Sequence, residues 1–113
     1  MANWTKFILG YCDGSLHQGF SKDPIKYKEA QLYFRGSAIT RSHFDWIESQ
    51  YNLKGAEKVV LTGASAGGMG VNYWSNYLKN YVADGSKVYP ISDSGALMNF
   101  RSIFGDLKAQ KEA

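Results

Sequence analysis

The chain has 113 residues, with 13 Lys and Arg against 10 Asp and Glu for a formal charge of +3, and 44% of its residues are apolar and 15% aromatic. That length suits one compact domain of about 100–150 residues, and the composition is that of a folded chain, not a disordered tail. The cations run from Lys6 to Lys111 without forming a basic face, which argues against nucleic acid as a partner, and no apolar run approaches the roughly 20 residues of a membrane span.

Met1-Ala2-Asn3-Trp4 lacks the basic stretch and apolar segment of a signal peptide, so this N-terminus gives no reading of export. Lys6 to Cys12 is short and apolar, stops at Asp13-Gly14-Ser15, and reads as a buried strand followed by a turn. Cys12, the single cysteine, is either a buried small hydrophobe or half of a disulfide whose partner lies outside these residues. With no second thiol, a thiolate metal cluster is not expected, and no metal or cofactor is called for. Ser15 to Lys28 reads as an irregular loop, and its Lys22, Lys26 and Lys28, interrupted by Asp23 and Glu29, as a solvated surface. Ala30 to Arg35 reads as extended.

From Ser37, a candidate N-cap, Ile39, His43, Phe44, Ile47 and Tyr51 recur at helical intervals, and Asn52 and Gly55 end the element. His43 is read as a packing residue on that helix. Lys58 to Thr62 is β-branched and apolar, as in a strand buried on both faces. Tyr73, Trp74, Tyr77, Leu78, Tyr81 and Val82 mark a second helix closing near Asp84-Gly85. Lys87 to Ser92 is a last strand, with Pro90 arguing against a well-paired central position. After Gly95 a loop or short helix leads to the polar stretch from Lys108 to Ala113. Strands alternating with helices predict an α/β fold: a mainly parallel sheet with helices on both faces. Four strands and two helices are a thin example, with edges that invite cover by another chain.

Gly63-Ala64-Ser65-Ala66-Gly67 has the pattern G-x-S-x-G, between a strand and a helix. There the strand must reverse within about two residues, forcing the serine into a strained conformation that flanking side chains would obstruct. Ser65 is therefore the candidate nucleophile, and the Ala66 N–H, at the head of the following helix, the candidate oxyanion donor. Phosphate-loop and dinucleotide readings fail, because Met69-Gly70 follows Gly68 and no G-x-G-x-x-G is present. A serine needs a base and an orienting acid, in the chain order Ser, Asp or Glu, His for this class. His17 and His43 both precede Ser65, so neither fits. Asp13, Gly14 and His17, after the first predicted strand, are candidate substrate contacts; Asp93, at the end of the last, is either a catalytic acid or a support of the turn and pocket. Most aromatics, including Trp4, Trp46, Trp74 and Tyr77, are read as core residues.

Tyr11-Cys12-Asp13-Gly14, Leu32-Tyr33-Phe34-Arg35-Gly36, Leu61 to Gly68 and Ser92-Asp93-Ser94-Gly95 together resemble four successive blocks of the pectinacetylesterase family, which includes the Notum carboxylesterases. Order and spacing agree from about Asn3 to Phe100. The resemblance implies an α/β-hydrolase-like serine esterase without cofactor, using Ser65 and the Ala66 N–H. It also implies a secreted protein acting on an acetylated polysaccharide such as pectin or on an acylated protein, with Cys12 a bridge partner and Asn3-Trp4-Thr5 matching a glycosylation sequon. The family's other oxyanion donors match nothing here and are expected upstream; its triad Asp and His are expected downstream. Residues 1–113 are thus read as one partial domain, the nucleophile-bearing centre of a longer esterase, or as a non-catalytic remnant serving as a structural or binding module. Alone, the chain is expected to hydrolyse p-nitrophenyl acetate no faster than a Ser65→Ala variant.

Overall fold

The structure, a computed structural model, describes residues 1–96. The loop or short helix expected after Gly95 runs from residue 97 outside them, as does the polar C-terminal stretch.

The centre is a parallel pair, β3 (Lys58–Ala64) and β4 (Lys87–Asp93), in the register Val59↔Val88, Leu61↔Pro90 and Ala64↔Asp93. Helix α2 (Ala66–Leu78) forms the crossover between them and packs on both strands, and a 3-10 turn, Lys79–Tyr81, ends it earlier than the composition predicts. Helix α1 (Gly36–Tyr51) closes on Asn52 in the left-handed conformation, whose N–H donates to the Glu48 carbonyl. Its start differs from expectation: Arg35 occupies the N-cap position and Ser37 lies buried in the first turn. A small antiparallel hairpin pairs β1 (Ile25–Tyr27), within the stretch expected to be irregular, with β2 (Ala30–Leu32), within the stretch expected to be extended.

Both helices feed one core of Phe44, Trp74 and Leu78, against which Leu9, Val59, Leu61, Tyr81 and Val88 pack. Phe44 sits edge-on to Trp74 and Tyr81, the perpendicular arrangement that aromatic quadrupoles favour. This covers one side of the parallel pair. Residues directly opposite in a ladder share a face, so Val60 with Tyr89 and Thr62 with Ile91 form the other side, where Tyr89 is 44% and Ile91 50% exposed. The expectation of helices on both faces, and of a β3 buried on both, is therefore met on one face only among the described residues.

The predicted strand from Lys6 to Cys12 is irregular here, with no neighbouring strand among the described residues to accept its ladder bonds; Ile8 is 95% exposed, and Cys12 is exposed and not the buried hydrophobe that was one reading. Trp46 and Tyr51 also lie outward, joined by Phe7 in a surface aromatic cluster. Tyr73 and Tyr77 are exposed while their neighbour Trp74 is core, because α2 turns only one stripe toward the sheet. His43 is half-buried, with Nδ1 in hydrogen-bond contact with the Ile39 carbonyl at 2.8 Å. No helix among the described residues is long and apolar enough to cross a membrane.

Candidate active site

Ser65 stands at the bend between β3 and α2 with φ 52° and ψ −116°, a combination that costs an L-residue on the order of 1–3 kcal/mol. The bend is held from both sides. The Ser65 N–H donates to the Asp93 carbonyl at 2.9 Å, extending the β3–β4 ladder by one bond, and its own carbonyl accepts the Met69 N–H at 3.0 Å as the first turn of α2. Its side chain makes no capping bond to the helix, and the residue is exposed. Among the described residues the Oγ makes no hydrogen bond, and it stands at the head of α2, whose first N–H groups have no intrahelical acceptor.

The glycines follow from this geometry. A Cβ on Gly63 would lie 2.5 Å from the Gly67 carbonyl carbon, so the strand end and the first helical turn meet without room for a side chain. One on Gly68 would lie 2.7 Å from the Asp93 carbonyl oxygen and 2.8 Å from the Gly95 Cα. At this approach the Ser92 hydroxyl donates to the Gly68 carbonyl at 2.9 Å and Asn72 Nδ2 to the Gly95 carbonyl at 3.0 Å. Sequence reasoning missed the Gly68–Gly95 contact and Asn72; two small-residue blocks at the C-terminal ends of successive strands were the signal that could have found them.

Asp93 enters the site through its backbone, which holds Ser65, while its carboxylate accepts the Ser94 hydroxyl at 3.0 Å. Asp13, Gly14 and His17 share a tight loop with Gly14, Leu16 and His17 at positive φ. The Asp13 carboxylate accepts the Ser15 N–H at 3.1 Å and its hydroxyl at 2.7–2.8 Å, and Ser15 Oγ in turn accepts the Gly19 N–H at 2.9 Å. Desolvation pushes the Asp13 carboxyl up, but the Ser15 hydrogen bonds and the Arg35 and Gly36 N–H groups outweigh it and leave it below its usual range.

His17 packs away from the bend. Its carbonyl accepts the Trp74 indole N–H at 2.7 Å, its ring stacks on Tyr11 at 4.7 Å, and a Cβ on Gly70 would lie 3.1 Å from its Cδ2. Gly70 is five residues beyond Ser65, about 7–8 Å along the helix. Burial lowers the pKa of the imidazole, with His43 adding to the effect and Asp13 opposing it. Among the described residues, no histidine hydrogen-bonds Ser65 and no cluster of His, Cys, Asp and Glu is placed to hold a metal ion. A recess lined by Lys54 to Lys58, Ala83 and Gly85 to Lys87 sits at the opposite ends of β3 and β4 from Ser65.

A strained, exposed serine at a strand–helix bend can present its hydroxyl to an acyl carbon while free helix amides face the developing oxyanion. The chain is 30% identical to pectin acetylesterase 4 of Arabidopsis thaliana over 92% of its own length and 25% of that relative. With pectin acetylesterase 5 the identity is 30%, covering 92% and 24%, and with pectin acetylesterase 11 it is 29%, covering 91% and 26%. The chain thus spans about a quarter of these relatives' length. No solved structure matches. The profile of the pectinacetylesterase family matches residues 1–112, and the chain belongs to that family.

Proposed function

We propose that this chain is the nucleophile-bearing quarter of an α/β-hydrolase-like serine esterase that removes acetyl groups from pectic polysaccharide. The observation that carries the reading is the Ser65 backbone at φ 52° with its hydroxyl free of any capping bond. In this mechanism Ser65 Oγ attacks the acetyl carbonyl carbon and its proton passes to an imidazole base. The carbonyl oxygen, now negative, receives the Ala66 N–H. The intermediate then collapses, the sugar oxygen leaves with the proton from the imidazolium, and water hydrolyses the acetyl-serine by the same steps. The base and its orienting acid are assigned to parts of the whole esterase other than the described residues. Asp93 supports the bend, and Asp13, Gly14 and His17 belong to a loop anchored on Trp74 of α2 and take no proton from Ser65.

The test uses the native protein purified from its source, at whatever length it is made. It is expected to release acetate from acetylated pectin and to take a fluorophosphonate label at Ser65, with both lost in Ser65→Ala. A native protein that does neither overturns the esterase reading. A second reading, a non-catalytic binding or structural module, draws on the absence of a histidine bonded to Ser65 among the described residues. It then stands if that protein still binds pectin.

A further inference from the structure

Phe20 to Arg35 takes no part in the acyl chemistry, yet rings and cations gather there in a defined arrangement. Lys26 pairs with Gln31 across the hairpin, so both side chains leave one face. Tyr33 lies two residues beyond Gln31, which returns it to that face, and its hydroxyl donates to Gln31 Oε1 at 2.9 Å. The Arg35 guanidinium lies over the Tyr33 ring, 4.8 Å from its centroid, and donates from Nη2 to the Lys22 carbonyl at 3.2 Å. One bond fixes the fork beside the ring and leaves other N–H groups for an incoming acceptor.

The base of this arrangement is stitched to the fold. The Ser21 N–H donates to the Phe34 carbonyl at 2.8 Å and the Ser37 N–H to the Gly19 carbonyl at 2.9 Å. Tyr33 is nonetheless 47% exposed, and Lys22, Lys26, Gln31 and Arg35 are exposed with it. Lys28 and Arg41 bring further cations over Tyr27 and Phe20, at 5.5 and 5.6 Å. The acids within the stretch are Asp23 and Glu29, so the surface is positive.

We propose that the Lys26–Gln31–Tyr33–Arg35 face binds the carboxylate-bearing sugar rings of an acidic polysaccharide. A pyranose ring lays its C–H face on the open side of Tyr33, the Gln31 amide meets hydroxyls, and Arg35 with Lys26 takes the carboxylates of neighbouring rings. Nucleic acid would call for a denser row of cations than this face carries. The identity of the polymer, a galacturonate chain, rests on the pectic reading; the binding itself does not depend on Ser65.

The experiment titrates deacetylated oligogalacturonate into the full chain, with neutral galactan oligomers and polyglutamate as comparison ligands. Oligogalacturonate is expected to bind with an affinity that falls as salt rises, and the neutral oligomer not to bind. Tyr33→Ala and the pair Lys26→Gln with Arg35→Gln should each weaken binding at least tenfold, while Tyr33→Phe keeps most of it. Circular dichroism checks the fold; if the Arg35 variant fails to fold, Lys26→Gln with Tyr33→Ala decides the matter. Binding unchanged in these variants, or polyglutamate bound as tightly with the same indifference to Tyr33→Ala, overturns the proposal. Acetate release by the native protein with no role for Tyr33 in binding sinks this inference and leaves the esterase standing; Tyr33-dependent binding with a native protein that releases no acetate does the reverse.

Discussion

At Ser65 a polar residue occupies a backbone position, φ 52° and ψ −116°, that glycine would occupy with far less strain. Ser65→Gly should therefore raise stability by about 1 kcal/mol, the relief of roughly 1–3 kcal/mol of strain less roughly 0.5–1 for the added freedom of the unfolded chain. Urea denaturation measures it, and a Ser65→Gly variant less stable than wild type would show that the bend stores no strain. Gly63→Ala works in the opposite direction, since its Cβ would meet the Gly67 backbone at 2.5 Å and not a side chain that can turn away. A loss of about 2–3 kcal/mol is expected in the same assay, from overpacking that backbone must absorb. These positions were legible in the sequence because the cause is local: strand, bend and helix are consecutive, and small residues around a serine record the bend directly.

Among the elements, the loop at residues 13–19 depends on contacts that no local pattern announces. Trp74 is 4% exposed, and its indole N–H reaches the carbonyl of His17, 57 residues away in sequence. Helical spacing identified Trp74 as core but could not name what its polar edge meets. The Lys6 to Cys12 stretch failed for a related reason: its composition favours a strand, but a strand exists only where a neighbour accepts its ladder. The stretch holding β2 was read as extended, but β1 and the hairpin were missed because Pro24, Lys26, Lys28 and Glu29 read as loop chemistry, and the turn uses Lys28 at φ 53° where glycine or asparagine would have signalled it. Trp74→Phe should cost about 2–4 kcal/mol, combining the lost bond to a partly buried carbonyl with lost packing, and should raise amide exchange across Leu16 to Gly19 more than across β3. The loop also ties stability to pH. Folded His17 holds its proton less firmly than the unfolded imidazole, whose usual value is 6.5, so its contribution is complete above that value. As pH falls through it the unfolded chain binds the proton first and stability drops. Asp13, lowered from 3.8, contributes above that value and is lost only as pH falls through its depressed folded range. Melting temperature followed from about pH 8 to pH 5 should decline less in His17→Asn than in wild type, and a parallel decline in both would remove His17 from the account.

For the whole molecule, the described fold leaves more apolar surface in water than one core can cover. The radius of gyration is 16.6 Å, against about 13 Å for a compact domain of roughly this length. The far side of the parallel pair presents Tyr89 and Ile91, and Ile8 stands 95% exposed near the N-terminus. A sheet of two strands covered on one side is a fraction of the layered arrangement that α/β proteins use to bury both faces. The sequence made the α/β class readable through its β3–α2–β4 unit, but the covering of the second face is a long-range property that needs partners beyond that unit. The physical expectation is that this face seeks another surface, either elsewhere in a longer esterase or on a second chain. The purified 113-residue chain should therefore bind a hydrophobic dye and associate as its concentration rises through the micromolar range. Replacing Tyr89 by Thr and Ile91 by Lys should preserve the circular dichroism spectrum, because both side chains point away from the Phe44–Trp74–Leu78 core. The same pair should move association to at least tenfold higher concentration in sedimentation equilibrium, a shift of about 1.4 kcal/mol. A chain that remains monomeric and dye-free at 100 μM would mean that the exposed sheet face tolerates water, and the case for a covering partner would fall with it.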